Sequence, residues 1–248
     1  MKRITLLVAC LLAAPVLADT FEERWRARVA LFERENETLA KDTPTVVLLG
    51  SSSMHGWENG HRTRFLPDGY RFLNRGIGGD GIGLSQVTGI KNRLEASVFD
   101  AGHPTHVFLL NGRNSIGRNG ERVEQTATVY REVLEAIQAR LPGTTVCVVT
   151  CAPVNKSYKV MAPHVVDFNG RIKAIAADLG CPVIDLHAKL VAADGETMPL
   201  SLTPDGLHFN DDGYEILANE IARVLREHPA AAPATEQPKP GMRGALPH

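Results

Sequence analysis

Five short apolar runs punctuate the chain, and the stretches between them carry apolar residues at helical spacing. The first run, Thr45 to Leu49, is continuous and is closed by Gly50, the pattern of a parallel strand buried on both faces. Similar runs follow at Tyr70 to Leu73, Thr105 to Leu110, Thr144 to Thr150 and Pro182 to Leu186. Helical periodicity covers Leu84 to Leu94, Glu121 to Leu141, Val165 to Leu179 and Gly213 to Arg226. In the longest of these, Val123, Ala127, Tyr130, Leu134 and Ile137 share one face. Ahead of them, Phe21 to Leu39 reads as an amphipathic helix on the domain surface, with Trp25, Val29, Leu31 and Phe32 apolar and Pro44 as its stop. Strands alternating with helices predict an α/β domain around a parallel sheet of about five strands.

The two ends depart from that pattern. Lys2 and Arg3, the apolar stretch Ile4 to Val16, and Val16-Leu17-Ala18 have the make-up of a secretory leader. Cleavage is expected after Ala18, with a periplasmic or secreted product. Leu7-Val8-Ala9-Cys10 has the letters of a lipoprotein box, but it stands too near the start and the apolar run continues past it. From His228 the chain is Ala/Pro-rich, the composition of a disordered tail. The expected units are therefore a leader (1–18), an N-terminal helix (19–43), the α/β domain (44–227) and a tail (228–248). No later run reaches the roughly 18 apolar residues of a membrane span.

Charge narrows the partners. Lys and Arg number 27 against 28 Asp and Glu, a net charge of −1, and no basic stripe with interleaved aromatics suggests nucleic-acid binding. Oligomeric state is not legible. Beyond the leader stand Cys147, Cys151 and Cys181. Cys147 and Cys151 share a predicted strand, where four residues rise about 13 Å, too far for a disulfide. A Cys147–Cys181 pair and three buried thiols both remain open. Without CxxC or HExxH, no metal site is expected, and no other cofactor is called for.

In an open parallel sheet, ligands bind beyond the carboxyl ends of the strands. The residues just past the predicted strands are Gly50-Ser51-Ser52, Asn74 through Asp80, Asn111-Gly112-Arg113-Asn114 and Cys151-Ala152-Pro153; the loop with Asp205 and His208 is expected at the same edge. Asp205 and His208, three apart, can lie on one side of a turn, the carboxylate orienting imidazole Nδ1 for proton transfer. The same stretch also reads as a helix start capped by Asn210 or Asp211. Ser52, at a strand-to-helix turn, would be exposed and rigidly held near N–H groups that favour an oxyanion, or simply part of a capping cluster. The Gly-x-Ser-x-Gly elbow is absent, since Ser53-Met54 follow Ser52. Gly76 to Gly81 fits GxGxxG by its letters but follows the second strand, so a tight turn presenting backbone N–H groups explains its glycines better than a dinucleotide site.

Taken in order, these segments resemble the blocks of the SGNH/GDSL hydrolases, from about Val46 to Leu225. Ser52 matches the nucleophile of block I, Gly79 the block II glycine, Asn114 the block III asparagine, and Asp205 and His208 the block V acid and base. Asn74-Arg75-Gly76-Ile77-Gly78-Gly79-Asp80-Gly81 is especially similar to the alpha subunits of platelet-activating-factor acetylhydrolase, and Gly50-Ser51-Ser52-Ser53 with Trp57 to a bacterial branch. The resemblance implies a single flavodoxin-like three-layer α/β/α domain. It also implies an exported esterase with a Ser52–His208–Asp205 triad and an oxyanion hole from the Ser52 and Gly79 N–H groups and the Asn114 side chain. Two positions depart: Ser51 replaces the usual Asp of block I, and Ser115 replaces the Asp or Asn that follows the block III asparagine. Arg113, Ser115 and Asp80 are expected to bind substrate; for Arg113, recognition of an anion and a solvent-facing side chain are equally open. The expected substrate is a short acyl ester of a sugar or glycan, with a lysophospholipid or short-chain phospholipid ester as the alternative. A non-catalytic glycan-binding protein on the same fold is the reading of a different class.

Overall fold

The computed structural model describes residues 19–40, 43–58, 62–102 and 104–230. The expected leader, tail residues 231–248, His61 and His103 lie outside them. Five parallel strands form one sheet: β1 (Thr45–Gly50), β2 (Arg71–Gly76), β3 (Pro104–Leu110), β4 (Thr145–Val149) and β5 (Val183–Ile184), in the order β2-β1-β3-β4-β5. Register runs unbroken from Val46↔Phe72 to Gly50↔Gly76 on one side of β1, and from Val46↔His106 to Gly50↔Leu110 on the other. The chain leaves β1 first toward β2 and later returns toward β3. The crevice where such an order reverses, beyond the carboxyl ends of β1 and β3, is where ligands of this architecture sit.

Side chains alternate across each strand, and the core divides accordingly. Val47, Leu49, Val107, Leu109 and Val148 face α3 (Val123–Arg140) and α4 (Ala162–Asp178) through Tyr130, Leu134, Val165 and Phe168. Val46, Leu48, Phe108, Leu110 and Val149 face α6 (Asp211–Glu227) and the short α5 (Leu186–Leu190), packing on Leu217, Ile221 and Val224. With both faces covered, all six residues of β1 are buried, which explains its unbroken apolar run.

Three segments differ from the sequence pattern. Leu84 to Leu94 is not an α-helix: it is a run of bends, then a 3₁₀ turn at Ile90–Arg93 continued by a π turn at Glu95–Phe99. Gly83 and Gly89 lie against each other with φ of 118° and 115°, a close backbone approach that an α-helix does not allow. Of the apolar residues whose spacing mimics a helix, Ile90 and Leu94 are buried from this irregular segment, while Val87 is exposed. β5 is only two residues long, because the Asp185 side chain accepts from the Ala188 N–H and starts α5 there. The N-terminal helix α1 (Phe21–Asn36) is more than a surface element: Trp25 and Phe32 are buried with Ile77 and Ala96 in a third apolar cluster, while Leu31 is exposed.

Candidate active site

β1 ends at Gly50, and Ser51 leads into α2 (Ser52–His55). As the first residue of α2, Ser52 has no carbonyl four residues back inside the helix to receive its N–H. The helix is pinned by α6, which shares one apolar cluster with its Met54. The Tyr214 hydroxyl, on α6, donates to the Ser53 carbonyl (2.8 Å), its ring meets Trp57 edge-on, and the Arg62 guanidinium lies over that ring at 4.1 Å from the centroid. α6 also carries the loop that delivers the histidine. Phe209 is buried against Tyr214, and the Asn210 side chain caps the helix by accepting from the Gly213 N–H. Tyr214 thus ties the segments that carry Ser52 and His208 into a common frame.

Ser52 Oγ lies 3.0 Å from His208 Nε2, and His208 Nδ1 lies 2.7 Å from Asp205 Oδ2. The other Asp205 oxygen accepts from the Leu207 and His208 N–H groups, each at 2.8 Å, so the carboxylate folds its own turn. Burial pushes the Asp205 pKa up, but the hydrogen bonds from His208 and the two amides outweigh it and hold the carboxyl well below the usual range. An ionised carboxylate only accepts hydrogen bonds, which assigns the ring proton to Nδ1 and leaves Nε2 to accept from the Ser52 hydroxyl. Asn155 N–H to the Gly206 carbonyl (2.7 Å) and Lys156 Nζ to the Pro204 carbonyl (2.6 Å) hold the loop from the β4 side.

The glycine-rich segment after β2 lies alongside. Gly76 is forced by close approach: a Cβ there would collide with the His55 backbone nitrogen. Gly79 has φ of 82°, a left-handed backbone that favours glycine, and lies in an exposed turn. The turn is held by the Gly78 N–H donating to His55 Nδ1 (3.1 Å), while His55 Nε2 meets Glu58 (2.9 Å). Burial, reinforced by the Arg28 charge, lowers the His55 pKa, in keeping with a neutral ring that accepts at Nδ1. Asn114 is exposed after β3, and its side-chain amide donates to the Asp80 carbonyl (2.9 Å), which ties the block III turn to this segment. An amide has two N–H groups, so one remains to face a substrate oxygen.

Two of the expected substrate-binding residues do not reach the cleft. Asp80 is fully buried: Oδ2 pairs with Arg93 Nε at 2.8 Å, and Oδ1 accepts from Trp25 Nε1 at 3.1 Å. Its carboxylate is consumed inside the fold, and only its main-chain carbonyl serves the edge. Ser115 is also buried, and its hydroxyl accepts from the Ile82 N–H (2.9 Å), so the residue replacing the usual Asp or Asn braces the loop instead of touching substrate. Arg113 is neither at the surface nor ion-paired: it is 7% exposed and borders the space beside Asn114. From sequence His55 reads as a surface or loop histidine and Trp25 as an apolar helix residue, and Arg93 and Tyr214 carry no signal; none has a local motif, and each acts through a contact distant in sequence. Cys147, Cys151 and Cys181 are free, buried thiols, and burial raises the pKa of each. Among the described residues, no group of three or more His, Cys, Asp or Glu is placed to hold a metal ion, and no helix is long and apolar enough to cross a membrane.

The cleft around Ser52 and His208, about 400 Å³, is bordered by His55, Gly78, Arg62 and Tyr214. A hydroxyl, imidazole and ionised carboxylate in series can generate a nucleophile at neutral pH.

Solved structures share this fold. A GDSL-like lipase from Bacteroides thetaiotaomicron superposes with a TM-score of 0.67 at 18% identity, covering 84% of this chain and 99% of that one. A member of the lipolytic G-D-S-L family from Veillonella parvula gives 0.60 at 20% identity, covering 74% and 99%. An acetyl xylan esterase gives 0.56 at 20% identity, covering 73% and 99%. No curated protein shows a significant sequence match. The family model for the GDSL-like lipase/acylhydrolases matches residues 48–216, a span that runs from β1 through the His208 loop into α6. The chain therefore belongs to the GDSL-like lipase/acylhydrolase family.

Proposed function

We propose that this family member is a serine esterase that cleaves carboxylic esters through an acyl-enzyme on Ser52. The observation that carries the reading is the unbroken relay Ser52 Oγ–His208 Nε2, His208 Nδ1–Asp205 Oδ2. His208 takes the hydroxyl proton as Oγ attacks the ester carbonyl, and Asp205 stabilises the imidazolium. The Ser52 and Gly79 N–H groups and the Asn114 amide receive the oxyanion. Collapse expels the alkoxide, which takes the proton from His208. Water then attacks the acyl-enzyme with His208 as base, releasing the carboxylic acid and restoring the serine.

A short acyl group, such as acetyl on a sugar or glycan, is the preferred substrate. A cleft of about 400 Å³ bordered by His55, Arg62 and Asn210 has room for a small polar ester. The neighbour whose name gives acetyl xylan as substrate supports the same direction. The leader-like start supports export, which N-terminal sequencing of the protein recovered from outside the cytoplasm would test. With p-nitrophenyl esters of increasing chain length, turnover should be highest for acetate or propionate and vanish in Ser52→Ala. Undiminished hydrolysis by Ser52→Ala would end the esterase assignment; a preference for long acyl chains would favour a lipid ester.

A further inference from the structure

A second groove of about 210 Å³ is bordered by Asn114. Arg113, Arg118 and Arg122 line it together with Asn114, Tyr158 and Leu207, and no acidic side chain does. Leu207 precedes His208, so the groove abuts the loop that carries the catalytic imidazole.

Arg113 is the unusual member. It is 7% exposed, yet no hydrogen bond or ion pair engages its side chain among the described residues, and its Nε is sealed without an acceptor. Buried arginines are ordinarily matched donor by donor. This fold does so elsewhere: fully buried Arg93 has acceptors in Asp80, Arg75, Ser97 and Gly50. The carboxylate whose charge acts on Arg113 is Asp205, and that one is already bound to His208. Glu121, on the same loop as Arg118 and Arg122, turns its carboxylate to the Asn119 N–H. A guanidinium held unpartnered beside the reacting centre, with two further arginines along the same wall, is a fork awaiting an oxyanion supplied from outside.

We propose that this groove seats an anionic oxygen group of the substrate, a carboxylate or a phosphate, with Arg113 as its principal ligand. The proposal rests on the esterase reading and narrows its substrate class to acidic esters, such as an acylated acidic sugar or an ester bearing a phosphate. Tyr158 and Leu207 supply the apolar wall against which the carbon skeleton between the ester and the anion can lie.

The test compares kcat/KM for phenyl acetate with that for 3-acetoxybenzoate, 3-acetoxyphenyl phosphate and the monophenyl ester of glutaric acid, each corrected for spontaneous hydrolysis. The first two anions place charge on the alcohol side, as carboxylate or phosphate, and the third on the acyl side. At least one acidic ester should exceed phenyl acetate by about ten- to hundredfold, the scale of a charge-assisted hydrogen bond. That ratio should collapse toward one in Arg113→Met and fall in Arg122→Gln, an exposed position that keeps the test decisive if Arg113→Met folds poorly. Which acidic ester is preferred identifies the anion and the side it occupies. Equal use of all four esters by the native protein would overturn the proposal, as would a preference that both variants retain. Calorimetric binding of 3-acetoxybenzoate and 3-acetoxyphenyl phosphate to Ser52→Ala separates the two readings. Binding that is lost on adding Arg113→Met supports the groove even without turnover. Turnover of phenyl acetate that depends on Ser52, without any anion preference, leaves the esterase reading standing alone.

Discussion

Two acid–base pairs stand within the same edge of the sheet and are spaced almost alike, Asp80–Arg93 at 2.8 Å and Asp205–His208 at 2.7 Å, but their surroundings are opposite. The first pair is sealed, both side chains having no solvent exposure, whereas the side chains of the second are 46% and 41% exposed. Burial raises the Asp80 pKa and lowers that of Arg93, opposing charge on both partners. The pair persists because its donors and acceptors are matched: Arg93 reaches Gly50 at the end of β1, Arg75 in β2 and Ser97 in the π turn, and Trp25 takes the second Asp80 oxygen. It is a pin joining four elements behind the glycine-rich turn. The rim pair is held by its own local turn, and its imidazole stays accessible to a hydroxyl and to solvent. Similar chemistry therefore serves position in one place and, in the function proposed above, proton transfer in the other, with solvent exposure deciding which.

The largest effect should come from breaking the rim pair. His208→Ala should lower kcat/KM on a p-nitrophenyl acetate scale by about 10⁴- to 10⁶-fold. Its unfolding free energy from urea denaturation should stay within about 0.5 kcal/mol of the native value. Arg93→Met should do the reverse, leaving Asp80 buried without its cation and costing about 3–5 kcal/mol in denaturant unfolding. The double variant Asp80→Leu/Arg93→Met should recover much of that stability, because no lone charge remains; a double variant as unstable as the single one would deny the pin. Asn114→Ala falls between the two regions. A fall of about a hundred- to a thousandfold in kcat with KM little changed is expected if its free N–H meets the oxyanion.

The smallest effect is a pH dependence. The folded pKa of Asp205 is held below the ordinary carboxylate value near about 4, so its contribution to stability is complete above that value and is lost as pH falls through the folded one. The stability gap between the native protein and Asp205→Asn should therefore be constant at neutral pH and shrink only in acid. A gap that closed as pH rose would contradict the hydrogen bonding seen here.

The sheet was legible because β1 and β3 are covered on both faces, which writes an unbroken apolar run into the sequence. The residues of the relay were legible because Asp205 and His208 close one short turn and Ser52 sits at a strand end, both local patterns. What escaped notice depends on distant contacts. Nothing near Asp80 in sequence distinguishes a rim carboxylate from one claimed by Arg93 and Trp25, and nothing near His55 tells of the Gly78 N–H it receives. Val87, Ile90 and Leu94 are apolar at a spacing that imitates a helix, yet two opposed glycines set the backbone instead.

Covalent trapping tests the serine relay most directly. The native protein incubated with a fluorophosphonate should gain one adduct by intact mass, mapped by peptide sequencing to Ser52, while esterase activity falls in parallel. Neither His208→Ala nor Ser52→Ala should label at a comparable rate. Full inactivation with the adduct on another residue, or rapid labelling of Ser52 undisturbed by loss of His208, would contradict a serine activated by this imidazole.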